Sequence, residues 1–237
     1  MEFGWQTLWN DGWVLAIFRG AFVTIAVGIA SMLLGLGLGT LCGLLKWRRV
    51  IGLTQMVDVY TSVVRGVPEL LIIYLLFFGS VQFVSQIAAA MGFAQVPDAG
   101  YAFIVTVFAI GSISGAYSTE VVRGALAAIP KGHIEAAVAL GLPSRRIFRR
   151  IILPQMLRIA LPGINNVWQT TIKDTALVSV VGLQELMRTA YIGAGSTRHP
   201  FIFYGIAALA YLLITLISQT GFVALERLFA LRKAKVA

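Results

Sequence analysis

The chain alternates long stretches that carry no Asp, Glu, Lys or Arg with short stretches where cations cluster. Gly20 to Leu45, Leu70 to Pro97, Ala99 to Thr119 and His199 to Leu225 are free of charge and rich in Leu, Ile, Val, Phe and Ala. A bilayer core about 30 Å thick asks for about 20 apolar residues per helix, so each stretch holds one spanning helix. A fifth stretch, Pro154 to Val181, is as apolar at its two ends but carries Lys173 and Asp174 inside. Hydropathy alone leaves that stretch open, and the placement of charge decides it.

Most cations fall into three groups: Lys46, Arg48 and Arg49; Arg123, Lys131, Arg145, Arg146, Arg149, Arg150 and Arg158; and Arg227, Arg232, Lys233 and Lys235. Five spans put all three groups on one side, whereas four would leave the basic tail opposite the others. The positive-inside rule makes the shared side cytoplasmic. The pattern therefore predicts an all-α membrane protein with five transmembrane helices, the N terminus outside and the C terminus cytoplasmic. It forms one transmembrane domain over 1–237, with spans near 20–45, 68–90, 99–121, 155–181 and 200–226. Arg19, Arg188 and Arg198 belong to the outer side, while Arg65 and Lys173 lie within or near the membrane. The first twelve residues include Glu2 and Asp11 and no Lys or Arg, unlike the basic start of a cleaved signal peptide. Trp5, Trp9 and Trp13 suit an interfacial aromatic belt.

Composition sharpens this picture. Apolar residues make up 58% of the 237, and charged ones 12%, with 19 Lys plus Arg against 10 Asp plus Glu for a net charge of +9. That excludes a disordered chain, and the single cysteine, Cys42, excludes a disulfide framework and reads as a small packing residue. A nucleic-acid binder shares the basic balance but needs water-facing surface that the uncharged runs deny. Gly35, Gly37 and Gly39 spell G-x-G-x-G inside the first span with no strand-turn-helix around them, so they read as a face for close helix packing. The chain has no Gly-Lys dipeptide and hence no P-loop, which leaves any ATP to a partner. His133 and His199 fall on opposite sides of the membrane, so no metal site is expected, and no Ser-His-Asp or Cys-His arrangement is supported.

The cytoplasmic loop over 123–153 is too regular for a linker. Ile134 to Leu140 favours helix, Gly141 supplies a left-handed stop, and Ser144 after Pro143 caps a second helix. In that second helix Ile147, Phe148, Ile151 and Ile152 share one face and Arg145, Arg146, Arg149 and Arg150 another. Such an element either rests on anionic headgroups or docks a protein, and the residues alone leave both readings open. Glu135-Ala136-Ala137, Gly141, Ile151 and Leu153-Pro154 match the spacing E-A-A-x3-G-x9-I-x-L-P. This resembles the EAA loop of type I ABC importer permeases. Gly115-Ala116-Tyr117, Arg123-Gly124-Ala125, Ile129-Pro130-Lys131-Gly132-His133 and Arg65-Gly66-Val67-Pro68-Glu69 resemble the polar amino-acid branch of that family. Leu161-Pro162-Gly163, Asn166-Val167-Trp168-Gln169 and Thr175 to Ser179 extend the likeness through the fourth span. Ser196-Thr197, Pro200-Phe201 and Leu225-Glu226-Arg227 are similar to the first membrane subunit of histidine, lysine, arginine and ornithine systems or of opine systems.

The resemblance implies an importer of polar, basic amino acids or opines. It would combine two five-span permeases, here an unlike pair, with two ATPase subunits and an external solute-binding protein. It implies no enzyme activity and no bound cofactor for this chain, with ATP and Mg on the partner ATPases, in a bacterial inner membrane. Glu135, Ala136, Ala137, Gly141, Ile151, Leu153 and Pro154 would then couple to the ATPase. Charges inside a bilayer are costly and mark function, so Asp58, Glu69, Glu120, Lys173 and Asp174 are candidates for the substrate path. Asp58 and Arg65 also fit a helical face flanking the second span, Glu120 fits an i,i+3 pair with Arg123, and Pro68 fits a bend. A carrier or channel driven by an ion gradient is the rival reading.

Overall fold

A computed structural model describes residues 11–90 and 98–234. Trp5 and Trp9 lie outside these. The described residues fold as α1 (Trp13–Trp47), α2 (Leu53–Gly66), α3 (Glu69–Ala90), α4 (Asp98–Ala127), α5 (Lys131–Ala139), α6 (Ser144–Ile147), α7 (Leu153–Asp174), α8 (Leu186–Thr197) and α9 (Pro200–Ala234). A π-helical turn, Phe148–Ile152, joins α6 to α7, and a 3-10 turn, Thr175–Val181, follows α7.

α1, α4 and α9 are each long and apolar enough to cross a membrane, and α2 with α3 passes the same test as one pair bent by 109°. The bend falls where Val67 turns extended (φ −105°, ψ 140°) ahead of Pro68, because a proline ring pushes the residue before it out of the helical region. α7 is not among the candidate spans: Pro162, Asn165, Asn166, Gln169 and Lys173 interrupt its apolar run.

α1 and α4 form the spine, and glycine sets their spacing. A Cβ on Gly35 would run into Ser114 and Gly115, one on Gly39 into Ser118 and Thr119, and one on Gly43 would sit 2.8 Å from Val122. In return Leu34 and Leu38 of α1 lie against Gly111 and Gly115 of α4. Where lipid removes the hydrophobic drive between helices, such close backbone approach supplies dispersion contact instead. The expected packing face needs one correction. Gly37 is exposed with open space around it, because α-helical periodicity puts i and i+4 on one face and i+2 on another. The working stripe is Gly35, Gly39 and Gly43, with Gly28 against Ile172 of α7.

Three buried clusters fill the remainder. Val122 and Leu126 of α4, with Ile129 just beyond its end, meet Ala137, Ile147, Ile152 and Met156 under the hairpin. Val27, Ile73, Ile110, Ile113 and Val178 join α1, α3, α4 and the 3-10 turn. Leu186, Ala190, Ala194, Phe203 and Ala207 join α8 to α9, with Trp13 edge-on to Phe203 at 5.2 Å. Much of α9, including Leu209, Leu213 and Ile217, is left exposed and apolar, as a helix facing lipid or another subunit would be.

Candidate functional site

The hairpin between α4 and α7 is built by its turn. At the end of α5, Gly141 donates its N–H to Val138 O at 2.9 Å and Leu142 donates to Ala137 O at 3.2 Å. This pair of bonds, with Gly141 at φ +70°, is a Schellman closure, which satisfies carbonyls that a helix end would otherwise orphan. The left-handed stop expected at Gly141 is therefore present. Ser144 does not cap the next helix: Pro143 holds that position and Ser144 is the first helical residue, with no side-chain cap bond. Proline's fixed φ presets the start, and Arg146 N–H reaches Pro143 O at 2.8 Å.

The motif residues divide by exposure. Glu135 and Ala136 are exposed, while Ala137 is buried against Val122, Ile147 and Met156. Ile151 and Leu153 are half-buried beside the same cluster, and Pro154 is exposed. His133 Nδ1 lies 3.0 Å from Gln155 Oε1, tying α5 to the first turn of α7. Val138 and Leu140 are 61% and 80% exposed, giving α5 an uncovered apolar tip that the motif alone did not single out.

The charged candidates separate into two groups. Lys46 Nζ reaches Asp58 Oδ1 at 2.7 Å and Glu120 Oε1 at 2.6 Å, and Glu120 Oε2 accepts from Arg123 Nε at 2.8 Å. These contacts join the end of α1 to α2 and α4. The i,i+3 pair of Glu120 and Arg123 is present as expected, whereas Asp58 is engaged by Lys46 and Arg65 lies over the Tyr117 ring at 5.6 Å.

Tyr117 Oη donates to Glu69 Oε1 at 3.2 Å at the bend between α2 and α3. Asp174, at the end of α7, is 9% exposed and near enough to Glu69 for their charges to interact. Lys173 is exposed on a different face of the same helix end, as adjacent helical residues are expected to be. Two carboxylates thus share a region in which Arg65 lies over the Tyr117 ring and Lys173 is near enough to Asp174 for their charges to interact.

Sequence reasoning missed Glu185. Its carboxylate is fully buried and caps α8, accepting from Met187 N at 2.7 Å and Arg188 N at 2.6 Å. Tyr211 Oη donates at 2.9 Å and Thr24 Oγ1 at 3.3 Å. One side chain therefore joins α1, α8 and α9. The local signal was an acidic residue just before a helical run, a capping pattern that goes unseen when α8 itself is not expected.

Residues 35–230 match the family described as binding-protein-dependent transport system inner membrane component. The chain belongs to this family. It is 46% identical to the nopaline transport system permease protein of Agrobacterium fabrum over 224 residues, covering 92% of this chain and 93% of that one. It is 41% identical to the histidine/lysine/arginine/ornithine transport system permease protein of Escherichia coli strain K12 over 217 residues, covering 90% and 93%. Among solved structures it is similar to an amino acid ABC transporter crystallised with histidines, at 27% identity and a TM-score of 0.80 over 96% of this chain and 99% of that one. A methionine ABC transporter in an inward-facing conformation shares the fold, with a TM-score of 0.74 at 18% identity over 96% and 99%. This permease thus carries its exposed hairpin and both charged groups inside the matched region.

Proposed function

We propose that this permease is one membrane subunit of an ATP-driven, binding-protein-dependent importer of basic amino acids or opines in a bacterial inner membrane. The reading rests chiefly on the exposed α5 hairpin, in a chain whose 35–230 match that family. The substrate class comes from the nopaline and histidine/lysine/arginine/ornithine relatives. In this reading the five spans are α1, α3, α4, α7 with its 3-10 turn, and α9, with the N terminus outside and the C terminus cytoplasmic. The partners are a second, unlike permease, two ATPase subunits holding ATP and Mg, and an external solute-binding protein. This subunit binds no cofactor.

The EAA hairpin is the coupling element. Glu135 makes a polar contact in the ATPase cleft, Ala136 and the tip at Val138 and Leu140 cover it, and Ala137 and Gly141 keep the turn tight. Ile151, Leu153 and Pro154 anchor the hairpin to α7, so closure of the ATPase dimer moves the spans. Along the substrate path, Glu69 and Asp174 receive the cationic groups of the solute and Lys173 lies close by. Asp58 and Glu120 flank the cytoplasmic end, where Lys46 already engages them. In the assembled four-component transporter, Glu135→Ala and Gly141→Arg should each cut substrate-stimulated ATP hydrolysis or release the ATPase. Unchanged assembly and stimulation in both variants would remove the hairpin from this role.

A further inference from the structure

Four arginines occupy the six residues from Arg145 to Arg150, all four exposed. Together with Pro143 they line one cleft. No carboxylate among the described residues forms an ion pair with any of them; the ion pairs there belong to Lys46 and Arg123. The opposite face of the segment is fixed, because Ile147 and Ile152 are each 5% exposed and pack with Val122 and Leu126 of α4 and Met156 of α7. The cluster is therefore held against the bundle, and no carboxylate among the described residues neutralises it.

Its depth identifies what does. The π turn Phe148–Ile152 runs directly into α7, so at 1.5 Å per residue Arg150 lies about 6 Å and Arg145 about 14 Å along the axis from Pro154. The headgroup layer of each leaflet is about 5 to 8 Å deep. In the topology proposed above, with Pro154 at the cytoplasmic edge of the α7 span, Arg149 and Arg150 fall in that layer, and the long side chains of Arg145 and Arg146 reach back to it. Guanidinium forks match phosphate oxygens in pairs, and basic side chains next to a span attract anionic lipid.

We propose that this cleft is a binding site for the phosphate headgroup of an anionic phospholipid in the cytoplasmic leaflet, setting the depth at which the hairpin meets the bilayer. The site rests on the orientation proposed above, but lipid binding can be read without transport, so failure of the importer reading leaves it intact. The test uses the assembled transporter in nanodiscs of phosphatidylcholine with a minor share of phosphatidylglycerol. Lipid mass spectrometry of the purified complex reports the enrichment of phosphatidylglycerol around it. Wild type should enrich it, high salt should weaken the effect, and each Arg→Gln change should lower the affinity about fivefold. The fourfold Arg→Lys variant keeps the charge and should retain most of the enrichment, which guards against a misfolded glutamine variant. Equal enrichment in wild type and in R145Q/R146Q/R149Q/R150Q would overturn the proposal. So would loss of the ATPase from that variant with lipid preference intact, which would assign the arginines to a protein partner. Stabilisation by glycerol phosphate alone, equal to that from the lipid, would assign the cleft to a free phosphate and overturn it as well.

Discussion

The two charged groups of this permease differ in how they are neutralised. Around Lys46, whose side chain is 11% exposed, each carboxylate has a direct cation: Asp58 and Glu120 on Lys46, and Arg123 on Glu120. Two acids and two bases close the group, and its energy goes into holding α1, α2 and α4 together. Around Glu69 the partner is a tyrosine hydroxyl, Arg65 lies over that tyrosine, and Asp174 adds a second acid near the exposed Lys173, yet no ion pair among the described residues closes on either carboxylate. A buried carboxylate that no ion pair closes is costly, and inside a membrane such a group marks a candidate functional site. The closed group reads as structure; the open one is where the proposed function puts the cationic groups of the solute.

The largest effect belongs to Lys46→Met, which leaves Asp58 and Glu120 without their shared cation. It should destabilise the permease by about 2 kcal/mol, read as a lowered Tm, and adding Glu120→Gln should restore part of the loss. A Tm within error of wild type would mean the group is not structural. Next, Glu69→Gln or Asp174→Asn should leave Tm and assembly intact while cutting uptake of labelled arginine about tenfold, or about 1.4 kcal/mol. Normal rate and affinity would take that residue out of the path. The smallest effect belongs to Asp58→Asn: its side chain is 52% exposed and Lys46 keeps Glu120, so the change in stability should stay below about 1 kcal/mol.

What the sequence made legible was what is local. The Gly141 stop, the i,i+3 pair of Glu120 and Arg123 and the bend at Pro68 each depend on a few neighbouring residues, and each is present. Long uncharged runs marked α1, α4 and α9 for the same reason. The misses are relations between distant segments. Lys46 lies 74 positions from Glu120, and no spacing rule brings them together. α2 and α8 fell outside the expected spans because at 14 and 12 residues they are shorter than a membrane crossing, and with α8 went the role of Glu185. The glycine face was found but its phase was not, since G-x-G-x-G repeats every second residue and a helix returns every third or fourth. Gly37→Ala should therefore be silent in Tm and expression, whereas Gly39→Leu, aimed into Ser118, should prevent folding.

The importer role is tested most directly by uptake of labelled arginine into proteoliposomes holding this permease with a second permease, the ATPase and the binding protein. Uptake should require ATP on the ATPase side and binding protein on the other, with Glu135→Ala reducing uptake and stimulated hydrolysis together. Uptake that follows an imposed proton or sodium gradient with no ATP present would contradict it.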